Sequence, residues 1–339
     1  MKVLVTGAAG RVGAHVARAL RDRGDEVRGL VIPDDPGADR LRARGVEVLE
    51  GRLEDQSSVA AAVDRVDAIV HLGAALSTRG ASDDDFFDVN LRGTFNVLMA
   101  ARDRGPRLGR LVLTSSEGVY FEGPDVAPEV LPIPEGHPRR PGLIYSATKL
   151  AGEELGLTFL RAYGVPVTVA RFSGMSEPWE WVDPRSVFGR RMFVHEAATA
   201  LAALPEFHSR GRRGPREAAM LAALQAIDDG TPRLFALVGR DGWSPTFSML
   251  DAREAADAAV RLLDGPASDV VGEAFNLGGP HYVEATVTAT IANRLGLPFH
   301  ALPVERPQPS WYLDTTKAER VLGFRPARTV NDMIEEALD

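Results

Sequence analysis

Lys2-Val3-Leu4-Val5-Thr6-Gly7-Ala8-Ala9-Gly10-Arg11-Val12-Gly13 opens the chain, and its reading decides the fold. The run from Lys2 to Thr6 is a short apolar segment of the kind found inside a parallel sheet. From about Arg11 to Arg23, Val12, Val16, Ala19 and Leu20 recur at helical spacing and mark one buried face. Gly7, Gly10 and Gly13 form the turn between the two elements. A dinucleotide pyrophosphate needs such a turn: tight, free of side chains, and opening onto unpaired helix N–H groups. A turn that merely packs a helix on a strand would use the same glycines. The place of this one, between the first strand and the first helix, is what points to phosphate.

Moving outward, the first half alternates apolar runs with helical patterns, as a doubly wound parallel sheet does. Strands are expected near Val27–Ile32, Val46–Glu50, Ala68–Leu72, Leu108–Ser115 and Val165–Phe172. Long helices are expected over roughly Asp83–Arg104 and Leu143–Tyr163, the second preceded by a proline-rich loop from Gly123 to Pro141. Beyond Arg171 the pattern is less regular, with helices near Val194–Leu204, Glu217–Asp228 and Val330–Leu338 and an Arg/Gly loop over Ser209–Arg216. The expected fold class is α/β: a Rossmann-type doubly wound parallel sheet with a smaller C-terminal α/β substrate-binding region. Residues 1–173, with part of 245–280, form the first unit, and 174–244 with 281–339 the second.

The bulk composition narrows the function. With 339 residues, 45% hydrophobic and 25% charged, the chain reads as an ordinary globular protein. A net charge of −8 argues against a nucleic-acid partner, since no excess of cations can meet a phosphate backbone. No apolar run is long enough to span a membrane, so no membrane partner is expected. The chain has no cysteine, which removes disulfides and thiolate metal sites. Its histidines lack metal-ligand spacing, and no metal site is expected. A strand that begins at the second residue leaves no room for a signal peptide, and the expected location is the cytoplasm. Arginine is the habitual cation, 36 against three lysines (Lys2, Lys149 and Lys317).

Against that background Tyr145-Ser146-Ala147-Thr148-Lys149 stands out. Residues four apart share a helix face, so the phenol and the ammonium point to one place. The ammonium is expected to lower the phenol pKa and let Tyr145 exchange a proton with a substrate oxygen near neutral pH. Arginine would keep the charge but lose the compact ammonium that can also hold a ribose hydroxyl. Thr114-Ser115-Ser116-Glu117 closes the strand that begins at Leu108, and ligands of open α/β sheets bind beyond such strand ends. A hydroxyl there can hold the reacting oxygen, although a serine-rich strand end also caps turns.

Together these motifs resemble the extended short-chain dehydrogenase/reductases of the NAD-dependent epimerase/dehydratase family over nearly the whole chain. Further likenesses are His71-Leu72-Gly73-Ala74-Ala75 after the fourth strand, Asn90-Leu91-Arg92-Gly93-Thr94 on the long helix, and Lys149-Leu150-Ala151-Gly152-Glu153. Phe275-Asn276-Leu277-Gly278-Gly279, Asp314-Thr315-Thr316-Lys317-Ala318 and Leu322-Gly323-Phe324-Arg325-Pro326 resemble the family's C-terminal signatures. The resemblance implies Tyr145 as acid/base, Lys149 as its modulator and ribose anchor, and Ser116 as polariser of the substrate oxygen. Glu117, where dehydratases of this branch carry an acid, is implied as a second acid/base. The cofactor would meet Gly7, Ala9, Gly10, Arg11, Val12 and Gly13 at the turn, then Ile32 and Asp34 after the second strand. Arg52, Leu53, Leu72, Gly73 and Ala74 would follow, with Asn90, Thr114, Phe172, Tyr145 and Lys149 toward the nicotinamide. Family members dimerise through the two long helices, and a homodimer is implied here. On the sequence these helices carry apolar residues on more than one face, among them Phe95, Val97, Leu98, Leu155, Leu157 and Leu160.

Three departures shape the expectation. Val31 and Ile32 stand where the family places Asp for NAD or Arg for NADP, with Asp34 and Asp35 just beyond. Acidic side chains would repel a 2′-phosphate, so NAD is favoured and NADP left open, with Arg11 and Arg40 as its supporters. In Gly51-Arg52-Leu53-Glu54-Asp55, Arg52 replaces an Asp that accepts from the adenine amine, leaving Leu53 packing or a shifted Asp55 to hold the base. Gly174 replaces an Asn, and Trp243-Ser244-Pro245-Thr246-Phe247 lacks an Arg, that grip a nucleotide diphosphate in sugar-nucleotide members. Arg190, Arg191, Arg210, Arg212, Arg213 and Arg216 are possible substitutes, and a solvated basic loop is the plainer reading. Phe172, Trp179, Trp181 and Trp243 are candidates for a sugar-stacking wall, against ordinary core packing. The expected function is hydride transfer at a carbinol or ketone carbon of a sugar-like substrate. The alternatives are a nucleotide-sugar epimerase or 4,6-dehydratase and, from another class, a dinucleotide sensor without catalysis.

Overall fold

The structure is a computed structural model that describes all residues except 77–79, 124, 205–206, 209–210, 213–214 and 306–307; for 207–208, 211–212 and 215–216 the backbone alone is described. Seven parallel strands form the central sheet. In chain order they are β1 (Lys2–Thr6), β2 (Glu26–Val31), β3 (Glu47–Glu50), β4 (Ala68–His71), β5 (Arg110–Ser116), β6 (Val167–Phe172) and a late seventh, Ala274–Leu277. Across the sheet β3, β2, β1, β4, β5 and β6 follow one another, with the late strand at the outer edge of β6. The order reverses between β1 and β4, the switch point at which such sheets bind ligands beyond their carboxyl ends.

Alternation along each strand builds two cores. Val3, Val5, Val70, Val112 and Ala170 face one side, where α1 (Arg11–Asp22) and the helix Ala252–Asp264 pack. Leu4, Ile69, Leu111, Leu113 and Val169 face the other. The helices there are Gln56–Val63, Gly93–Arg104 and Ile144–Tyr163. The last of these, hereafter the Tyr145 helix, ends on Gly164 in the left-handed conformation (φ +73°).

The long helix expected over Asp83–Arg104 is not uniform. One capped turn at Asp83–Asp85 leads into a π-helix over Phe86–Arg92 before regular α-helix resumes at Gly93. Such widened turns occur most often at functional sites, and this one contains Asn90. Two helices not read from the sequence, Ala38–Ala43 and Gln56–Val63, complete the half. Asp55 caps the second by accepting from the backbone N–H of Ser57 and Ser58.

The remaining residues pack beside the carboxyl end of the sheet around Trp181, Met192, Phe193, Ile291, Met333 and Ile334. A three-stranded sheet crosses this region: Gly174–Ser176, Thr246–Asp251 and His281–Val283, with Thr246–Asp251 in the middle. Ala318 and Phe324 return to the core of the main sheet. Among the described residues, no helix is long and apolar enough to cross a membrane.

Candidate active site

The glycine turn is cleared to backbone. Gly7 has φ +65°, and a Cβ on it would lie 2.8 Å from Gly73 Cα, so the ends of β1 and β4 touch without side chains. A Cβ on Gly13 would stand 2.2 Å from the Gly7 carbonyl oxygen, which lets α1 start directly against the turn. Gly10 caps α1 with no side-chain hydrogen bond, and no acidic residue occupies the first turn. The helix N-terminus is therefore available to an anion, and the bare turn fits a dinucleotide pyrophosphate.

On the far side of the switch point, β5 delivers Thr114 and Ser116 to the sheet's carboxyl edge, and the Tyr145 helix delivers Tyr145 and Lys149 over it. The Ser116 hydroxyl lies close enough to the Tyr145 phenol to favour its ionised form, and it accepts from Gly118 N–H at 3.1 Å. Lys149 Nζ donates to the Thr114 carbonyl at 3.1 Å. Burial pushes the Tyr145 phenol up to about 12, with Ser116 opposing and the nearby Glu117 carboxyl adding to the rise. Burial brings the Lys149 ammonium down to about 8, partly offset by Glu153. The sequence led us to expect Lys149 to lower the phenol pKa. In this structure burial dominates instead, and Lys149 is not among the groups that offset it.

Glu117 is anchored at one end and open at the other. Its Oε1 accepts from Gly174 N–H at 2.9 Å, while Oε2 is buried without a hydrogen-bond partner. Burial raises this carboxyl to about 8, so near neutral pH it is protonated and a donor. A Cβ at Gly174 would meet Met249 Cε at 3.1 Å, a contact that a small shift of that flexible side chain would have to absorb. Tyr282 lies within reach of the Glu117 charge and packs edge-on against Trp181, ring centroids 5.5 Å apart.

Other sequence-singled residues fall into groups. Asn90, Leu53, Gly73 and Gly93 form the floor between the two long helices. Asn90 Oδ1 accepts from Ala75 N–H at 2.7 Å and its Nδ2 donates to the Thr148 hydroxyl at 3.3 Å, fixing the segment beyond β4 that carries Leu72 and Ala74. Leu53 packs where Cβ atoms on Gly73 and Gly93 would be, 2.8 and 2.7 Å away. Val12 is buried in the core behind the turn. Ile32 is 56% exposed and Asp34 is exposed at φ +59°. Gly37 brings that loop onto the turn, for a Cβ on it would lie 2.8 Å from Ala9 Cβ.

Several expectations need correction. Arg11 does not point to the phosphate site: its guanidinium pairs with Glu180 and donates to the Met175 carbonyl at 3.1 Å, binding α1 to the substrate side. Phe172 is 2% exposed within the sheet core, so its ring has no free face for a ligand. Asp55 is consumed as a helix cap, its carboxylate saturated by Ser57 and Ser58, and is unavailable to adenine. Arg52 is exposed, 3.7 Å from Glu54. Of the supposed aromatic wall, Trp181 is core, whereas Trp179 and Trp243 are exposed. Arg190 and Arg191 are exposed; Arg210 and Arg213 lie outside the described residues, as do the side chains of Arg212 and Arg216.

A buried polar cluster went unread beyond its arginine. Arg171 makes two parallel bonds to Glu153, 2.9 and 2.7 Å, and donates to the Tyr120 hydroxyl at 2.7 Å. Tyr120 in turn donates to Asn276 Oδ1 at 2.8 Å. The Phe275-Asn276 signature was visible in the sequence, but its partner was not.

Residues 3–189 match the model of the family described as "NAD dependent epimerase/dehydratase family". The chain is 36% identical over 192 residues to UDP-glucuronate 4-epimerase 1 of Arabidopsis thaliana, covering 53% of this chain and 43% of that one. It is also 36% identical over 159 residues to a 4-hydroxy-2-methyl-3-oxo-4-farnesyl-3,4-dihydroquinoline-1-oxide ketoreductase of Stigmatella aurantiaca, 46% of this chain and 45% of the relative. The matched stretches thus span less than half of either relative. Among solved structures, a short-chain dehydrogenase/reductase superfamily protein from Agrobacterium tumefaciens with bound NAD aligns over 100% of this chain and 96% of its own, with TM-score 0.85 and 32% identity. The fold, the glycine turn and these matches agree: the chain belongs to the NAD-dependent epimerase/dehydratase family.

Proposed function

We propose that the protein is an NAD-dependent enzyme that moves hydride at a carbinol or ketone carbon of a sugar-like substrate, with Ser116, Tyr145 and Lys149 as its catalytic residues. One observation carries the reading: a buried phenol with the Ser116 hydroxyl as its polar neighbour stands at the end of the same parallel sheet whose switch point carries the bare glycine turn. NAD, when bound, supplies the hydride acceptor and, in its oxidised form, a positive charge that favours the phenolate. A Tyr145 phenolate would take the substrate's hydroxyl proton, which lets the carbinol carbon give up its hydride to the cofactor. Ser116 would hold the oxygen as the ketone forms, and Lys149 would be the residue to hold the cofactor ribose.

NAD is favoured over NADP because Asp34 and Asp35 lie in the loop that packs on Ala9, and Arg11, once a candidate for a 2′-phosphate, is engaged elsewhere. Glu117, held by Gly174, offers a substrate hydroxyl a protonated carboxyl. The epimerase among the relatives supports a sugar substrate, nucleotide-linked or free; the ketoreductase keeps other ketones within the same chemistry. The two long helices also leave Phe95 41% and Tyr163 57% exposed, which supports a homodimer built on them.

Fluorescence of protein-bound NADH during turnover tests the reaction type. NADH released to solution in step with product identifies a dehydrogenase; product without net NADH identifies an epimerase or dehydratase. Protein that binds NAD but turns over no aldose, uronic acid or sugar nucleotide would contradict the proposal.

A further inference from the structure

His71, at the end of β4, is 2% exposed and makes a hydrogen bond through each ring nitrogen. Nδ1 lies 2.8 Å from Thr6 Oγ1, and Nε2 lies 3.0 Å from Thr94 Oγ1. The proton positions follow by elimination. The Thr6 hydroxyl oxygen already accepts from Leu72 N–H at 3.1 Å and Gly73 N–H at 3.0 Å. Both its lone pairs are taken, so its one proton goes to His71 Nδ1. Nδ1 is then the acceptor, and the ring proton sits on Nε2, donated to Thr94.

We propose that His71 is a positioning residue: a neutral imidazole, protonated on Nε2 alone, that fixes the distance between the glycine turn and the helices carrying the catalytic groups. On one side, Thr6 precedes Gly7, and its hydroxyl draws the Leu72–Gly73 backbone against the turn. On the other, Thr94 follows Gly93 and sits against the Tyr145 helix, with its Cγ2 3.6 Å from where a Cβ on Gly152 would be. The His71 carbonyl takes part as well. It accepts from the Thr114 hydroxyl at 2.6 Å, and the Thr114 carbonyl is the acceptor for Lys149. Ring and backbone of one residue thus touch the cofactor turn, the floor helix and the strand that seats the lysine. Burial, helped by the Lys149 charge, pushes the imidazole down to about 3, which keeps it neutral at working pH. A second ring proton would face the Thr6 proton with no lone pair between them.

The functional part of this inference rests on the NAD reading; the proton assignment does not. Imidazole 15N NMR of the full chain, with His71 assigned by its absence in His71→Asn, should show an Nε2-protonated ring unchanged between about pH 5 and about pH 9. A ring protonated on Nδ1, or one that titrates in that range, overturns the proposal. Thr6→Val is expected to weaken NAD binding roughly tenfold with a smaller change in kcat, and Thr94→Val to lower kcat roughly tenfold with a smaller change in Kd. His71→Asn keeps an acceptor toward Thr6 but cannot reach Thr94, so it should behave like Thr94→Val. The Thr6→Val/Thr94→Val double variant should fall short of the product of the single losses, because either break releases the same strut. Additive losses, or a lower Tm with Kd and kcat untouched, would mean that the ring only fills space. Wild-type protein that bound no NAD would strike the functional reading, while the tautomer measurement would still decide the proton assignment.

Discussion

Tyr145 and Tyr120 are phenols that burial raises alike, each to about 12. Their surroundings differ. Tyr120 donates to Asn276 and accepts from Arg171, which also crosses its ring at 5.2 Å, so every bond it can make is made inside the protein. Tyr145 has Ser116 and an edge contact with Phe86, ring centroids 5.9 Å apart, and is left with capacity toward the crevice. The basic partners repeat the contrast. Arg171 is raised and locked to Glu153, whereas Lys149 is lowered to about 8 and held by a carbonyl. A shifted pKa is therefore a mark of burial shared by both places; what sets apart the place proposed as reactive is its unfilled hydrogen-bonding capacity.

Four substitutions probe this contrast. Tyr145→Phe should lower kcat by about 10²–10⁴-fold while NAD binding and Tm stay near wild type. Arg171→Met should act on the fold, because it leaves Glu153 charged and buried against Arg139 alone; denaturant titration should show a loss of about 3–5 kcal/mol. Activity per folded molecule should survive that change, and its loss would erase the distinction between the clusters.

Glu117→Gln sharpens the comparison through pH. The folded carboxyl titrates at about 8, against 4.5 for its ordinary value, so between those limits the native state holds the extra proton and stability falls as pH rises. The variant removes the titration. Its Tm should decline less than wild type between pH 5 and pH 9, with a benefit at the alkaline end of up to a few kcal/mol. Parallel Tm curves would show that Glu117 ionises freely. Tyr120→Phe, the smallest effect, should cost about 1–2 kcal/mol by stranding Asn276 Oδ1, with kcat near wild type.

Much of the crevice was legible in the sequence because its signals are local. A glycine turn between strand and helix and a Tyr and Lys four apart on a helix each fit within a few residues, and a strand ending in Ser116 also shows directly. The order of apolar runs gave the sheet for the same reason, since burial on both faces imposes near-continuous hydrophobicity. What was not legible depends on contacts across the chain. Arg11 turns to Glu180, Gly174 holds Glu117, and His71 joins Thr6 to Thr94; no spacing rule encodes such pairings. Phe172 sits in a strand whose side chains alternate, so one step of register decides whether it faces a ligand or the core. The phenol pKa expectation did not hold, because burial, which no spacing rule reports, sets the direction of the shift.

The most direct test of hydride chemistry at Tyr145 is isotopic. The NAD-loaded protein would be mixed with aldoses, uronic acids and sugar nucleotides carrying deuterium at their carbinol carbons, and the cofactor then weighed by mass spectrometry. Deuterium should appear on the nicotinamide of the wild type and of Tyr120→Phe, and not on that of Tyr145→Phe with its cofactor still bound. Label on the Tyr145→Phe cofactor at the wild-type rate would show that the open phenol is not the group that runs the reaction.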